Sequence, residues 1–393
     1  MKKKIVWLAL SCLITASLLL TSCGPKAEEP KEGMPEVIGI STYAAGSKGI
    51  VLHAGMGHAV EKLTGIKVRV VPTGSATSRA MAVISGECLI AANVETGIYE
   101  QQGGIWDWGK NGPQKFALAW IGPPASTSLV TRGDSGIKTH EDMKGRKMGY
   151  LKEYEPSSFM LHTALLAYGG LTWDDVVKYE GALNPCRDAV KDATSDVCGI
   201  TPTSSFVYEL GASVHGAYVF QFPPNDEAWA KAREFCPFVG PAQFTAGYGA
   251  SKENSQWWPG YPYPLACRVD ADEELIYTVT KAFIEGYDLY KDCHPEVPMW
   301  NLDAALNLGM LNGSGLAYHP GAVRAFKEIG KWTERHDKWQ QSRLDFAKKV
   351  ATEYTKTVDE AAAQKIAMGS AKFLELWEPK WAKMRVEVAK TIY

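Results

Sequence analysis

Apolar and polar positions recur along this chain with two periods, one of two residues and one near 3.6. Val37 to Ser41 is short and rich in β-branched residues, and Ile66-Lys67-Val68-Arg69-Val70-Val71 alternates apolar and basic positions, so both predict strands. Between them, small residues from Thr42 to Gly49 suit a turn, and Ile50 to Leu63 has the spacing of a helix. A second helix is expected over Arg79 to Ser85 and a third strand over Cys88 to Val94. Strand, small polar turn, helix and strand in succession predict a parallel sheet. The rhythm resumes at Thr127, with a strand at Ser128 to Thr131, a short helix capped by Thr139, and a strand ending at Tyr150. Pro156-Ser157-Ser158 then opens a helix from Phe159 to Tyr168. No close internal repeat is visible, yet two α/β lobes of one construction joined by crossing strands describe a hinged clamshell.

The two ends carry different patterns. Lys2, Lys3 and Lys4 precede an apolar run from Ile5 to Leu20, which is followed by Leu20-Thr21-Ser22-Cys23-Gly24. A positive stub, a short apolar run and small residues before a cut make an export signal. The run falls short of the ~20 apolar residues that cross a bilayer comfortably. Leu-Thr-Ser-Cys resembles a bacterial lipobox, whose thiol carries a thioether-linked lipid, so Cys23 is the expected lipidation site and membrane anchor. Gly24 to Glu36 is rich in Pro, Glu and Lys and reads as a flexible tether. Beyond Gly330, Trp339, Phe346, Val350 and Tyr354, then Ile366, Phe373, Trp377 and Met384, recur at helical spacing and predict a helical extension covering the first lobe. The expected organisation is a signal peptide over 1–22, a tether over 23–36, lobe 1 over 37–126, lobe 2 over 127–235, a return to lobe 1 over 236–330, and the extension over 331–393.

Charge narrows the partners. Losing the three lysines of the signal takes the net charge from −2 to −5, which argues against nucleic acid. Cys88, Cys186, Cys198, Cys236, Cys267 and Cys293 form no Cys-x-x-Cys pair, so a zinc site is not expected. An oxidising space would permit a Cys186–Cys198 bridge, and buried free thiols are the equal alternative. No His-Glu-x-x-His motif and no Gly-x-Ser-x-Gly elbow is present, and no cofactor is expected.

In a parallel sheet, ligands sit beyond the carboxyl ends of the strands, where helix N-termini present free N–H groups. That rule selects the loops after Ser41, Val71 and Ala92. Ser75 and Thr77 are candidates to hold an anion, with N-capping as the ordinary alternative. Tyr43 is a candidate pocket wall. His53 sits inside the helix-like run and fits a structural role better, and His319, before Pro320-Gly321, fits a turn. Glu95, Glu153 and Glu155 read first as solvated carboxylates. Gln256 to Pro264, dense in aromatics and prolines, reads as an ordered loop beside the cleft that supplies Tyr261 or packs the core.

Several phrases resemble one family of solute receptors. They are Val71-Pro72-Thr73-Gly74-Ser75-Ala76-Thr77-Ser78-Arg79, Ser85-Gly86-Glu87 before a strand, Asn111-Gly112-Pro113, and Leu316-Ala317-Tyr318-His319-Pro320-Gly321-Ala322. Together, over about residues 37 to 330, they resemble the TAXI receptors of TRAP transporters. The resemblance implies a type II periplasmic-binding-protein fold, a small carboxylate solute and delivery to an ion-coupled TRAP membrane pump. It also implies solute contacts at Ser47, Ser75, Ala76, Thr77, Asn93, Ser157 and Ser158. Leu52-His53 and Leu151-Lys152-Glu153-Tyr154-Glu155 depart from the family pattern at positions that bear on the ligand. An ABC importer or a membrane sensor uses the same clamshell, and an exported enzyme is the remaining alternative.

Overall fold

The alternation over residues 37–94 folds into a sheet whose central strand is buried on both faces. β1 (Val37–Thr42) is buried in five of its six residues and lies between β2 (Lys67–Pro72) and β3 (Ile90–Ala92), parallel to both. A strand buried on both faces needs helices on both, which α1 (Lys48–Thr64) and α2 (Ala76–Ile84) supply. The computed structural model describes residues 30–43, 48–294 and 296–390. The export signal, Cys23 and Ser47 lie outside the described residues. No helix among the described residues is long and apolar enough to cross a membrane.

After β3 come α3 (Glu95–Gly103) and β4 (Phe116–Ser126), and a single residue, Thr127, separates β4 from β5 (Ser128–Arg132). The second lobe continues through β6 (Lys147–Tyr150), α4 (Pro156–Tyr168), β7 (Val177–Glu180), α5 (Leu183–Lys191), β8 (Val197–Ile200), α6 (Ser205–Ala212), β9 (Ala217–Val219) and α7 (Asp226–Phe235). The chain returns through β10 (Gly240–Phe244) and β11 (Gln256–Arg268), followed by α8 (Glu273–Glu285) and α9 (Pro320–Glu328). α10 (Glu334–Ala363) and α11 (Ala371–Ala389) form the extension.

The two sheets share one strand order. The first runs β2-β1-β3-β11 with β4 on the far side of β11, and the second runs β7-β6-β8-β5-β9. In each, the strand arriving from the other lobe (β11 or β5) lies antiparallel to the third parallel strand. This is the two-lobed α/β clamshell of the periplasmic-binding-protein type, with a helical extension.

Two expectations need correction. Gln256 to Pro264 is a buried strand, part of β11, and not a loop. Prolines at 259, 262 and 264 argue against a central strand because each lacks a ladder N–H. The sheet accommodates them with a register shift between Tyr261 and Tyr263, which face Ala125 and Gly122 of β4. The extension also does more than cover the first lobe. Trp339 joins the lobe 1 core of Ile40, Ile90, Trp120 and Phe326. Phe346, Phe373, Trp377 and Trp381 instead join a cluster containing Tyr99 of α3 and the lobe 2 residues Leu129, Leu161 and Trp229. Each large apolar side chain buried this way contributes roughly 1.5–3 kcal/mol. All six cysteines of the described residues are free thiols, so the Cys186–Cys198 bridge is not formed.

Candidate functional site

The three loops at the carboxyl ends of β1, β2 and β3 bring one buried cation among neutral polar groups. Helix α2 starts at Ala76, three residues before the expected Arg79, because Ser75 caps it. The Ser75 hydroxyl accepts from the Ser78 N–H (3.1 Å) and meets the Ser78 hydroxyl (2.7 Å). Ser75 is exposed and occupied with capping, while Ala76 and Thr77 are half-buried. The early start places Arg79 in the first turn, only 5% exposed. Its guanidinium lies 3.9 Å from the centroid of the Tyr43 ring, and its Nη2 donates to Asn93 Oδ1 at 3.4 Å. Its Nε has no partner, and no carboxylate among the described residues lies within ion-pair distance of it.

The neighbours of Arg79 are held from behind. Asn93 is fully buried, anchored by its N–H to the Pro264 carbonyl (3.0 Å) and by its Nδ2 to Gln101 Oε1 (3.4 Å). Gln101 Nε2 donates to the Ala76 carbonyl at 3.1 Å, which ties α3 to the first turn of α2. Tyr43 meets Tyr263 edge to face at 5.9 Å, and burial raises its phenol while the Arg79 charge opposes that rise. His53 Nδ1 shares a 2.6 Å hydrogen bond with the Thr42 hydroxyl, and its Nε2 has no partner. Burial pushes His53 down to about 3, and Arg79 adds to the same direction, so the ring is neutral at pH 7.

The second lobe repeats these residue types at the same addresses. α4 and α5 follow β6 and β7 as α1 and α2 follow β1 and β2. α4 carries His162 in its second turn, as α1 carries His53, and α5 carries Arg187 near its start, as α2 carries Arg79. His162 is fully buried, its Nδ1 has no partner, and burial with help from Arg187 brings it down to about 4. Burial likewise lowers Arg187, against the charges of Cys198, Glu155 and Asp188. Ser157 and Ser158 are half-buried in the first turn of α4, and the Ser158 hydroxyl donates to Glu155 Oε2 at 3.2 Å. Lys152, Glu153 and Tyr154 are exposed.

Other candidates fall elsewhere. His319 caps α9, accepting from the Gly321 N–H at 3.2 Å, and a Cβ on Gly321 would stand 2.3 Å from the Glu273 carbonyl oxygen. The phrase His319-Pro320-Gly321 is therefore a packed turn. The Tyr261 hydroxyl meets that of Thr127 (2.9 Å) where the chain crosses between lobes. Glu95 is buried, not solvated, and pairs with Arg385 of the extension at 2.9 Å. Two surface hollows, one between α1 and α8 bordered by Met34, Leu63 and Lys281, the other at the end of α8 bordered by Phe283, Tyr287 and Asn301, lack a buried unpaired charge. Arg79, Gln101 and Arg187 were missed by sequence reasoning. The available signal was an arginine in the Thr-Gly-Ser loop with no acid within seven residues of it.

A buried guanidinium without a carboxylate partner among the described residues, flanked by an amide, a phenol and a neutral imidazole, is an arrangement that can receive an oxyanion. Among solved structures, the chain resembles a putative sulfonate ABC transporter periplasmic sulfonate-binding protein, SsuA, from Methylobacillus flagellatus KT. The identity is 14%, over 77% of this chain and 96% of that one, with a TM-score of 0.48. The aliphatic sulphonate binding protein SsuA from Escherichia coli matches at 16% identity over 76% and 88%, TM-score 0.41. Substrate binding domain 2 of GlnP from Lactococcus lactis matches at 12% over 70% and 97%, TM-score 0.36. A sequence profile described as NMT1-like family matches residues 40–330, well over half of the chain, and this chain belongs to that family.

Proposed function

We propose that the protein is an extracytoplasmic, non-catalytic receptor that captures a small anionic solute, a carboxylate first and a sulfonate second, and hands it to a membrane transporter. The observation that carries this reading is Arg79, 5% exposed and without a carboxylate partner among the described residues, at the carboxyl ends of three parallel strands. An unpaired buried charge is costly, and a solute oxyanion would relieve that cost. In lobe 1 the solute contacts are Tyr43, Ser47, Ala76, Thr77, Arg79 and Asn93. Ser157, Ser158 and Arg187 face it from lobe 2, and closure of the lobes excludes water around it. The phrases at 71–79 and 316–322 favour a TRAP pump as the recipient, and Leu20 to Cys23 favours a lipid anchor on the outer side of a bacterial membrane.

A thermal-shift screen with succinate, L-glutamate and methanesulfonate tests the reading. A ligand at about 100 times its Kd stabilises a one-site receptor by ~2.7 kcal/mol. Melting temperatures unmoved by every anion of a broad panel would overturn the anionic solute, and recovery of a chemically altered solute would overturn the receptor role. The anchor is tested separately by Cys23→Ala, which should release the protein from the membrane fraction.

A further inference from the structure

Helix α3 is the least self-sufficient element of the fold. Its sequence is Glu-Thr-Gly-Ile-Tyr-Glu-Gln-Gln-Gly, and all nine residues are buried. Buried polar groups cost free energy unless something satisfies them, so the partners of α3 show what it depends on.

On one side α3 meets the solute site, through Gln101 to the Ala76 carbonyl and to Asn93. On the other it meets the extension and Gly315, which precedes α9. Glu95 Oε1 accepts from Arg385 Nη2 and from the Gly315 N–H, each at 2.9 Å, and both charged side chains are fully buried. Gln102 Nε2 donates to the Gly315 carbonyl (2.8 Å), and Trp377 Nε1 donates to the Gly103 carbonyl (2.6 Å). Trp381 is pressed so closely onto Gly103 that a Cβ there would stand 2.6 Å from the indole. The Arg385 guanidinium lies among Tyr99, Phe238 and Phe346, at 5.8, 5.5 and 5.9 Å from their ring centroids. Glu95 is two residues from Asn93, so whatever fixes Glu95 fixes the loop that presents Asn93 to Arg79.

We propose that Arg385, in the extension beyond the family segment, is a positioning residue for the solute site: through Glu95 it seats α3, and α3 holds Asn93 and Gln101 against Arg79 and the first turn of α2. The proposal rests on the reading of Arg79 and Asn93 as solute contacts. A buried ion pair is a poor device for stability alone, since apolar replacements of similar volume are often as stable. The directional bond from Arg385 Nη2 to Glu95 Oε1 is what a positioning role requires.

The test is calorimetric titration of the full chain with succinate, L-glutamate and methanesulfonate. Arg385→Met keeps the stem among the aromatic rings, and Glu95→Gln with Arg385→Met guards against misfolding around a lone carboxylate. The tightest of the three anions should bind Arg385→Met and the double variant about 10-fold more weakly. In an Asn93→Ala background the same Arg385→Met change should cost less than about 2-fold, because its effect passes through Asn93. Unchanged affinity, or an equal loss in both backgrounds, overturns the proposal. Should none of the three anions bind the unaltered chain, the anionic reading fails and hydrogen exchange decides the positioning. Arg385→Met should then speed exchange over residues 93–103 by about 10-fold while β1 and β2 stay protected. Unchanged exchange there overturns it.

Discussion

His53 and Arg79 in lobe 1 have counterparts in His162 and Arg187 in lobe 2, on helices that follow the first and second parallel strands of sheets with the same order. Their surroundings differ. Arg79 is buried, pairs with no carboxylate among the described residues, stacks on Tyr43 and is braced by Asn93, which α3 holds from behind. Arg187 is half-buried, its Nη1 donates to Asn184 at 3.2 Å while its Nε lacks a partner, and burial lowers it against the charges of Cys198, Glu155 and Asp188. The loop beside it, Lys152 to Tyr154, is exposed. The same topology thus carries a deeply buried arginine in one lobe and a half-buried one beside an exposed loop in the other. Coulomb attraction grows as the local dielectric falls, so lobe 1 should supply most of the binding free energy and lobe 2 the adjustment on closure.

The largest expected effect falls on the support of the lobe 1 site. Trp381 is fully buried between Tyr99 and Phe346, and Trp381→Ala should cost about 3–5 kcal/mol in chemical denaturation. A loss below about 1 kcal/mol would mean that α3 stands without the extension. Next comes the contrast between the arginines. Arg79→Met should weaken a bound anion by about 100-fold, and Arg187→Met by about 5-fold, measured by titration. Equal losses would erase the distinction between the lobes.

A third test addresses what burial costs lobe 1. Glu100, 4% exposed in α3 with no partner for its Oε1, is pushed up to about 8 by burial and then by Asp107. A carboxyl raised above its unfolded value contributes stability that is complete below pH ~4.5 and is lost as pH rises through about 8. Glu100→Gln should therefore be roughly 2–4 kcal/mol more favourable, relative to the unaltered chain, at pH 9 than at pH 5. A pH-independent difference would place Glu100 in water. The smallest effect belongs to Ser75→Ala, expected to cost ~1 kcal/mol of stability through the lost cap of α2, with little change in affinity.

How much of this was legible depends on which residues carried a period. The alternation at 66–71 and the apolar helix at 50–63 sit on faces that alternate between core and solvent, so the βαβ rhythm of both lobes could be read directly. β11 could not, because its prolines mimic a loop and only its pairing with β4 and β10 makes it a strand. α3 was invisible for the opposite reason: a helix of mostly polar residues that is buried on every side has no apolar face to announce it. The same partners explain Glu95, read as solvated and found beneath Arg385, 290 residues away in the chain. The Thr-Gly-Ser phrase was legible as the turn between β2 and α2. Three residues of error in the start of α2 hid the arginine that stands in it.

The account stands most directly on the charge of Arg79. Titration of the full chain with succinate and methanesulfonate, each against its neutral counterpart (succinamide and dimethyl sulfone), measures whether that charge is used. Binding of at least one anion with its neutral counterpart at least about 100-fold weaker, and loss of that preference in Arg79→Met, is the predicted result. Equal binding of anion and neutral analogue, or an Arg79→Met variant that keeps the preference, would contradict it.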